Sequence, residues 1–364
     1  MDFHLDEAQQ TVRDLAARIL GERVTNDALD ALDVSGEWFD RPTWQALADA
    51  GLLGIALPEQ HGGGGLGFLE LHLLLEQVGA HVAQVPAWET LVLGALPIAV
   101  FGTEQQRTRL LAGVVSGEVT LTGALGTAHD PGVVATPDGD RWRLTGSRSV
   151  VSLAPLADHL VVAATADGGD DGLYLLDADS EGLTVTPGSL TGGWPAGTVE
   201  LSDASAEALG VPGDGAPTWL RERALAGLAS LQSGVCTRAV ERAAAYTSER
   251  EQFGRPVATF QAVGHRVADA YIDAEALRLT ALQAAWRLAE GLPAADEVTI
   301  AKWWAADAGH RVLYAVHHVH GGVGVDHSYG LHRYFGWAKR IEFALGGATD
   351  QLLALGATLA AEPA

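Results

Sequence analysis

The stretch EREQFGRPVATFQAVGHRVAD, residues 249–269, joins the end of one helical pattern to the start of another. Gly254 interrupts the first pattern, and apolar residues at helical spacing resume from Phe260. The stretch is therefore predicted to form the turn of a helical hairpin. Arg250 and Arg255 flank this turn near a helix start, where guanidinium and backbone N–H groups favour a phosphate or another anion. The same pattern is also typical of a solvated corner that binds nothing.

Composition limits the kind of partner that the chain can have. Its 364 residues are enough for two or three hydrophobic cores, since a single core stops growing near ~250 residues. The net charge of -23, from 46 acidic and 23 basic residues, argues against nucleic acid and against an anionic membrane. It leaves room for a small anionic ligand, because such a ligand needs only a local cluster of arginines.

The sequence predicts a soluble, cytoplasmic protein. The single cysteine, Cys236, cannot form an internal disulfide, which suits a reducing compartment. The first twenty residues form an acidic amphipathic pattern instead of the basic and apolar regions of a secretory signal. The longest apolar run, residues 91–101, is too short to span a bilayer.

The pattern of the chain changes twice along its length. Helical periodicity dominates residues 1–117, short alternating runs broken by Gly- and Asp-rich turns dominate residues 118–212, and helical periodicity returns over residues 213–364. These segments predict an N-terminal helical domain, a middle antiparallel β domain and a C-terminal helical domain. The final helix is predicted to run from residue 331 to residue 359 without a break.

The REQFG string at 250–254, followed by Phe-Gln at 260–261, resembles the signature of the acyl-CoA dehydrogenase family. The resemblance extends over essentially the whole chain and implies the α+β fold of that family, in which the C-terminal domain is a four-helix bundle. It also implies that FAD is the cofactor and that Arg250 reaches the FAD diphosphate across a subunit boundary. The residues that it assigns to this part of the cofactor site are Arg250, Gln252, Phe253, Phe260 and Gln261.

A glycine-rich loop near the C-terminus extends the resemblance. Gly321 and Gly322 match the family's Gly-Gly-x-Gly loop, which lets the backbone approach FAD, and His318 takes the place of the family's glutamine. An imidazole at that position can still form a hydrogen bond. Six histidines lie between residues 310 and 332, but no metal site is expected, because they run into glycine without a cysteine or carboxylate partner.

The middle segment departs from the family pattern. Where family members have a tryptophan against the flavin ring, this chain has Val150. Ser152 keeps a hydroxyl where threonine is common in the family, so the resemblance implies one hydrogen bond from Ser152 to the flavin ring.

The catalytic base is missing from both positions at which the family carries it. The family reaction is α,β-dehydrogenation of an acyl-CoA thioester, in which a carboxylate removes the α proton. The two matching positions hold Leu345 and Ala224, which cannot accept a proton. Glu342 and Glu222 lie near these positions, but displacement by a helical turn moves a side chain by ~5 Å, which proton transfer does not readily tolerate.

Three hypotheses follow from this mixture of matches and departures. The favoured one is a subunit of a hetero-oligomer whose related partner carries the glutamate, as in actinobacterial family members that the LHRYF run at 331–335 resembles. The second is a self-sufficient enzyme, assembled from copies of itself, with Glu342 or Glu222 as a displaced base. The third is a non-catalytic scaffold that binds acyl-CoA. The resemblance implies an electron-transferring flavoprotein as electron acceptor.

Overall fold

The computed structural model describes residues 3–127 and 130–361. Its contacts divide the chain into two compact units. The first unit comprises Met1–Glu37, Phe68–Gln84 and Leu225–Ala364, and the second comprises Trp38–Gly67 and Val85–Ala224. Since each unit is assembled from separated segments, the division of the chain into residues 1–117, 118–212 and 213–364 stays a prediction.

Helices and strands follow one another largely in the predicted order. The helices are α1 (Glu7–Arg23), α2 (Asn26–Ser35), α3 (Arg41–Asp49), α4 (Phe68–Ala80), α5 (Leu96–Phe101), α6 (Glu104–Val115), α7 (Ala216–Glu249), α8 (Gln261–Ala289), α9 (Ala295–His320), α10 (Leu331–Phe343) and α11 (Ala348–Ala361). The strands are β1 (Leu121–Ala124), β2 (Val133–Asp138), β3 (Arg141–Ser152), β4 (His159–Ala166), β5 (Asp171–Asp177), β6 (Leu183–Leu190), β7 (Trp194–Leu209), β8 (Glu251–Gln252) and β9 (Arg255–Pro256). A π-helical segment, Trp88–Ala95, leads directly into α5.

The first unit is a bundle of long helices. Close approach of α4 to α7 depends on Gly234, where an added Cβ would lie 1.8 Å from the carbonyl oxygen of Glu76. Two buried hydrogen-bonded contacts join the same helices: His72 Nδ1 lies 2.8 Å from Ser230 Oγ, and Ser233 Oγ donates to Glu76 Oε1 over 2.7 Å. Polar side chains are therefore satisfied inside an otherwise apolar contact.

The helix predicted over residues 331–359 is broken, so that prediction was wrong in its bounds. The chain leaves α10 at Phe343 and begins α11 at Ala348. Leu345, between them, has φ of 56°, a left-handed conformation that a helix does not contain. The buried Lys302 donates from Nζ to the carbonyl oxygens of Glu342 and Gly346, over 3.1 Å and 2.9 Å, and so supports the break.

The second unit contains a mixed seven-stranded sheet. The strand order is β1-β4-β2-β3-β7-β5, β5 also pairs with β4, and β6 pairs with β7, so five of the strands close into a ring. Most pairings are antiparallel, as predicted, but β1 and β2 each pair with β4 in parallel. Apolar side chains such as Leu144, Leu160 and Val199 fill the interior of this sheet.

Candidate functional site

The turn predicted between two helices at residues 249–269 is present between α7 and α8, and it contains a short β-hairpin that was not predicted. Strands β8 and β9 pair with each other, and Phe253 and Gly254 between them have φ of 55° and 76°, as two-residue hairpin turns require. Phe253 is 93% exposed, so it is not part of the core. Its ring meets the edge of Phe260 at a centroid distance of 6.2 Å. The hairpin therefore presents an aromatic side chain to the surroundings of this chain.

Four of the predicted cofactor residues line one pocket of about 330 Å³ beside this hairpin. Arg250 and Gln252 come from the hairpin side, and His318 and Gly321 come from the end of α9 and the loop after it. Arg266 of α8 completes the polar lining. The two motifs of the sequence, one at the hairpin and one at the end of α9, are thus brought together in the first unit.

Three basic side chains of this pocket have no partner within the part of the chain that the structure describes. Arg250, Arg266 and His318 make no side-chain hydrogen bond or ion pair with another residue of 3–127 or 130–361. This is informative because acidic residues outnumber basic ones two to one, 46 to 23. Two guanidinium groups and an imidazole that converge without a carboxylate form a site for an external anion.

The loop after α9 leaves its backbone open to a ligand. Gly321 has φ of 60° and ψ of -139°, a conformation open essentially to glycine alone. An added Cβ on Gly321 or Gly322 would meet no atom within 4 Å, so the side of the loop where a Cβ would stand is open. A ligand can therefore approach the backbone closely at these two positions.

The floor of the pocket is aromatic and neutral. The buried His320 donates from Nδ1 to the carbonyl of Val316 over 2.7 Å, and its Nε2 lies 3.2 Å from the hydroxyl of Tyr329. Tyr246 stacks on the His320 ring at a centroid distance of 4.5 Å. Burial lowers the pKa of His320, which keeps the ring uncharged near neutral pH. The positive charge of the pocket therefore comes from its arginines.

These residues fit the diphosphate portion of FAD. Two guanidinium groups, a primary amide, an imidazole and an accessible glycine backbone are the donors that diphosphates bind in proteins. A pocket of about 330 Å³ is at the lower end of the range for a whole small ligand, so it accommodates a part of a dinucleotide and not all of it. The remaining predicted residues of this group lie next to the pocket in sequence and do not line it; they are Phe253, Phe260, Gln261 and Gly322.

Ser152 lies in the second unit, where its hydroxyl meets a carboxylate that the sequence did not reveal. Its Oγ donates to Glu89 Oε1 over 2.5 Å, and the indole nitrogen of Trp194 donates to the same oxygen over 3.1 Å. Glu89 is fully buried in the π-helical segment. The sequence gives no usable signal for this role, since an acidic residue at the start of an apolar run is also typical of an exposed first helical turn.

Ala224, Glu342 and Glu222, which the sequence analysis discussed as candidates for the base or its position, have the following surroundings. Ala224 is fully buried, and its carbonyl accepts a hydrogen bond from the indole nitrogen of Trp88 over 3.0 Å. The Glu342 carboxylate is ion-paired with Lys339 at 2.8 Å. Burial raises the pKa of Glu222, and the guanidinium of Arg223, 3.9 Å away, opposes this shift.

The histidines after residue 310 have separate environments. His317 bonds to the carbonyl of Leu313 through Nδ1, over 3.0 Å, and His310 lies 2.6 Å from the Lys339 ammonium. The rings of His327 and His332 face each other at 4.3 Å. Within the described ranges, no three His, Cys, Asp or Glu side chains converge as metal ligands.

No helix among residues 3–127 and 130–361 has both the length and the apolar character needed to cross a membrane.

Comparison with known proteins identifies the family. Residues 6–118 match the model of the acyl-CoA dehydrogenase N-terminal domain, and residues 220–359 match that of the acyl-CoA dehydrogenase C-terminal domain. Acyl-CoA dehydrogenase FadE27 of Mycobacterium tuberculosis is 42% identical over 374 residues, covering 100% of both chains. A chain of the ChsE4-ChsE5 complex from the same organism superposes with a TM-score of 0.95 at 42% identity, again over 100% of both chains. A chain of a variant of the Tcur3481-Tcur3483 steroid ACAD superposes with a TM-score of 0.92 at 44% identity, over 97% of this chain and 98% of that one. The chain therefore belongs to the acyl-CoA dehydrogenase family.

Proposed function

We propose that this chain is one subunit of an acyl-CoA dehydrogenase made of unlike subunits. In this proposal it supplies the diphosphate half of an FAD site to a related subunit, and that subunit carries the catalytic glutamate. The observation that carries the proposal is the pocket of Arg250, Arg266 and His318, whose side chains have no partner among the described residues of their own chain. Leu345 and Ala224 at the two base positions support the second part of the proposal.

The family consists of FAD-dependent oxidoreductases that act on a CH–CH bond. Bound FAD would supply the acceptor for the hydride that leaves the β carbon of the CoA thioester. The residues of this chain act by binding and orientation. Arg250 and Arg266 neutralise the diphosphate, His318 and Gln252 fix its position, and the open backbone at Gly321 allows close contact. Phe253 covers apolar surface of the partner subunit or of the cofactor.

The exposure of the hairpin supports a site completed by another chain. A phenyl ring that is 93% exposed, in a left-handed backbone conformation, contributes little to the stability of its own chain. Burial of a phenylalanine contributes ~1.5–3 kcal/mol, which becomes available when a second subunit covers it. Two of the similar solved proteins, ChsE4-ChsE5 and Tcur3481-Tcur3483, bear paired names, and ChsE4-ChsE5 is described as a complex.

The substrate of this assembly is a CoA thioester. A steroid side-chain thioester is the class that we favour, because one of the similar solved proteins is described as a steroid ACAD. An electron-transferring flavoprotein is the acceptor that the family resemblance implies. We also propose a cytoplasmic location, for which the support is the single buried Cys236, a pattern that suits a reducing compartment.

A self-sufficient enzyme is the second candidate, and one observation favours it. Burial raises the pKa of Glu222, and a carboxylate with a raised pKa is a better base near neutral pH. Glu342 is the weaker of the two candidates, because its carboxylate is already engaged by Lys339 and lies near His310. No contact in the pocket of Arg250 favours the third hypothesis, a scaffold that binds acyl-CoA without flavin.

Anaerobic titration of the chain purified alone distinguishes the subunit role from the self-sufficient enzyme. FAD is added in excess, and a panel of acyl-CoA thioesters that includes a steroid side-chain thioester is then tested for bleaching of the flavin absorbance. The proposed subunit role predicts no bleaching with any thioester. Bleaching that Glu222→Gln abolishes would show a self-sufficient enzyme instead. The matched control is Glu342→Gln, which should leave such bleaching in place if Glu222 is the base.

A further inference from the structure

A pocket of about 410 Å³ lies within the first unit, between α4, α8 and the start of α1 with the residues before it. Its apolar wall consists of Phe3, Leu5, Leu73 and Leu282. An apolar chamber of this volume with a few polar groups is the usual form of a small-molecule site. None of its lining residues belongs to the pocket of Arg250, so a ligand here is independent of the proposed function.

His72 of α4 lines this pocket and has one ring nitrogen that can only accept a hydrogen bond. Ser230 Oγ donates its single proton to the carbonyl oxygen of Ala226 over 2.8 Å, so towards His72 it can only accept. In the contact of 2.8 Å between His72 Nδ1 and Ser230 Oγ, the proton is therefore carried by Nδ1. Burial lowers the pKa of His72, so the ring is neutral near neutral pH and Nε2 keeps its lone pair.

This Nε2 atom lacks a donor within the part of the chain that the structure describes. His72 is only 1% exposed, and Nδ1 on the other edge of its ring is turned towards Ser230. No group among residues 3–127 and 130–361 donates a hydrogen bond to Nε2. An acceptor in a buried ring that lacks a donor is costly, so a ligand that donates to Nε2 gains this interaction.

The charges around the pocket select the kind of donor. The two arginines of the lining are each engaged by a carboxylate of their own helix, Arg278 by Glu275 at 2.9 Å and Arg13 by Asp14 at 2.8 Å. Glu76 adds a carboxylate whose Oε2 atom has no partner in the described ranges. The carboxylate of Glu76 disfavours an anionic ligand, and the two guanidinium groups disfavour an ammonium group. A neutral hydroxyl avoids both repulsions and can donate to an acceptor.

We infer that this pocket binds a small neutral molecule with an apolar body and a hydroxyl group, and that the hydroxyl donates to His72 Nε2. The apolar body packs against the leucine side chains of the wall, among them Leu73 and Leu282. The volume of about 410 Å³ is within the range of sites that enclose a small organic ligand.

Calorimetric titration of the full-length chain with phenethyl alcohol tests the inference. This probe has an aromatic body and one hydroxyl, and its methyl ether has the same body without an O–H group. We expect one saturable site for the alcohol and about tenfold weaker binding of the ether, because the ether leaves Nε2 without a donor. Absence of saturable binding of the alcohol, or equal affinity for the alcohol and the ether, would overturn the inference.

A substitution of His72 assigns the effect to its nitrogen. His72→Phe keeps an aromatic ring, and Ser230 keeps its bond to Ala226, so we expect the alcohol and the ether to bind this variant with equal affinity. The matched control is His81→Phe, since His81 lies outside the pocket and its Nδ1 bonds to the carbonyl of Gln77 over 3.0 Å. His81→Phe should retain the preference for the alcohol, and loss of this preference in both variants would contradict the role of His72. If His72→Phe does not fold, the comparison of alcohol and ether on the parent chain decides alone.

Phenethylamine tests the choice of a neutral ligand, because it carries an ammonium group on the same body. We expect it to bind more weakly than the alcohol, since Arg13 and Arg278 also line the pocket. Tighter binding of the amine than of the alcohol, lost in Glu76→Gln, would identify a site for cations and overturn the inference.

Discussion

Replacement of Arg250 by alanine should release FAD from the assembled protein. Arg250 lines the pocket beside the hairpin and makes no side-chain hydrogen bond or ion pair to any other described residue, so its loss leaves no partner unsatisfied in its own chain. The whole effect is therefore expected in ligand binding and not in folding. This separation makes the substitution a direct test of the pocket.

The magnitude follows from the number of bonds that a guanidinium can form. A guanidinium that binds a diphosphate through two N–H groups forms two charge-assisted hydrogen bonds. Each contributes ~1.5 kcal/mol; the lower end of the range applies because Arg250 is exposed before the ligand binds. The sum of about 3 kcal/mol corresponds to about 100-fold weaker binding of FAD, since each 1.4 kcal/mol is a factor of ten. Arg250→Lys retains a point charge, and we expect about a tenfold loss.

The assay is a titration of flavin-free protein with FAD, followed by the change in flavin fluorescence, on the chain purified with its partner subunit. Arg255→Ala is the matched control. Arg255 lies on the same exposed hairpin, but its guanidinium stacks over the Phe260 ring at 4.2 Å and does not line the pocket. We expect Arg255→Ala to bind FAD within threefold of the parent, allowing about 0.6 kcal/mol for a loosened hairpin. Equal FAD affinity in Arg250→Ala and Arg255→Ala would refute the reasoning.

Substitutions at three other positions test separate parts of the structure. Leu345→Glu should restore a base if this chain already binds flavin and substrate. The expected result is a gain of acyl-CoA-dependent flavin bleaching. Absence of any gain would show that more than the base is missing. Glu89→Ala removes the group that accepts hydrogen bonds from Ser152 Oγ and the Trp194 indole, so the urea midpoint should fall by the equivalent of about 3 kcal/mol. In Glu89→Gln the midpoint should fall by less than half of that amount. Equal midpoints for the two variants would contradict this reasoning. Burial lowers the pKa of His72, so the neutral ring stabilises the fold above the unfolded pKa of ~6.5 and this contribution is lost as the pH falls below it. His72→Asn should therefore show a smaller drop in thermal midpoint from pH 7 to pH 5 than the parent, and an equal drop would argue against a role for His72.

Local features of the fold were predictable because each depends on a few adjacent residues. Gly254 was predictable as the break between two helices, whereas the two-residue β-turn that it forms with Phe253 was visible only in the structure. The helices before and after it were predictable from apolar periodicity alone. The glycine pair at 321–322 was also predictable as a loop, although its open backbone was visible only in the structure.

Long-range features were not predictable from the residues themselves. Parallel pairing of β1 and β2 with β4 depends on contacts between strands that are far apart in sequence, whereas alternation along one strand is the same for either direction of pairing. The break at Leu345 was missed because a leucine rarely adopts a left-handed conformation. Its cause is the buried Lys302, which lies more than forty residues earlier in the chain.

The candidate site shows the same division. Arg250, Gln252, His318 and Gly321 were predicted from the resemblance to the family's motifs, and they line one pocket. Arg266 lies within residues 249–269 but was not predicted as a cofactor residue. It follows Ala262 by four residues and therefore lies on the same helix face. Glu89 gave no usable signal, since only the structure reveals that Ser152 and Trp194 meet its carboxylate.

The measurement that tests the central claim most directly is the FAD content of the chain, by visible absorbance, when purified alone and when co-purified with a related subunit that has an intact glutamate. If this chain supplies only the diphosphate half of the FAD site, the chain alone should contain little flavin, and each pair of unlike subunits should contain about one FAD. It also predicts that Arg250→Ala in this chain removes the flavin from the pair. Stoichiometric FAD in the chain alone, or a pair that keeps its flavin in Arg250→Ala, would contradict the account.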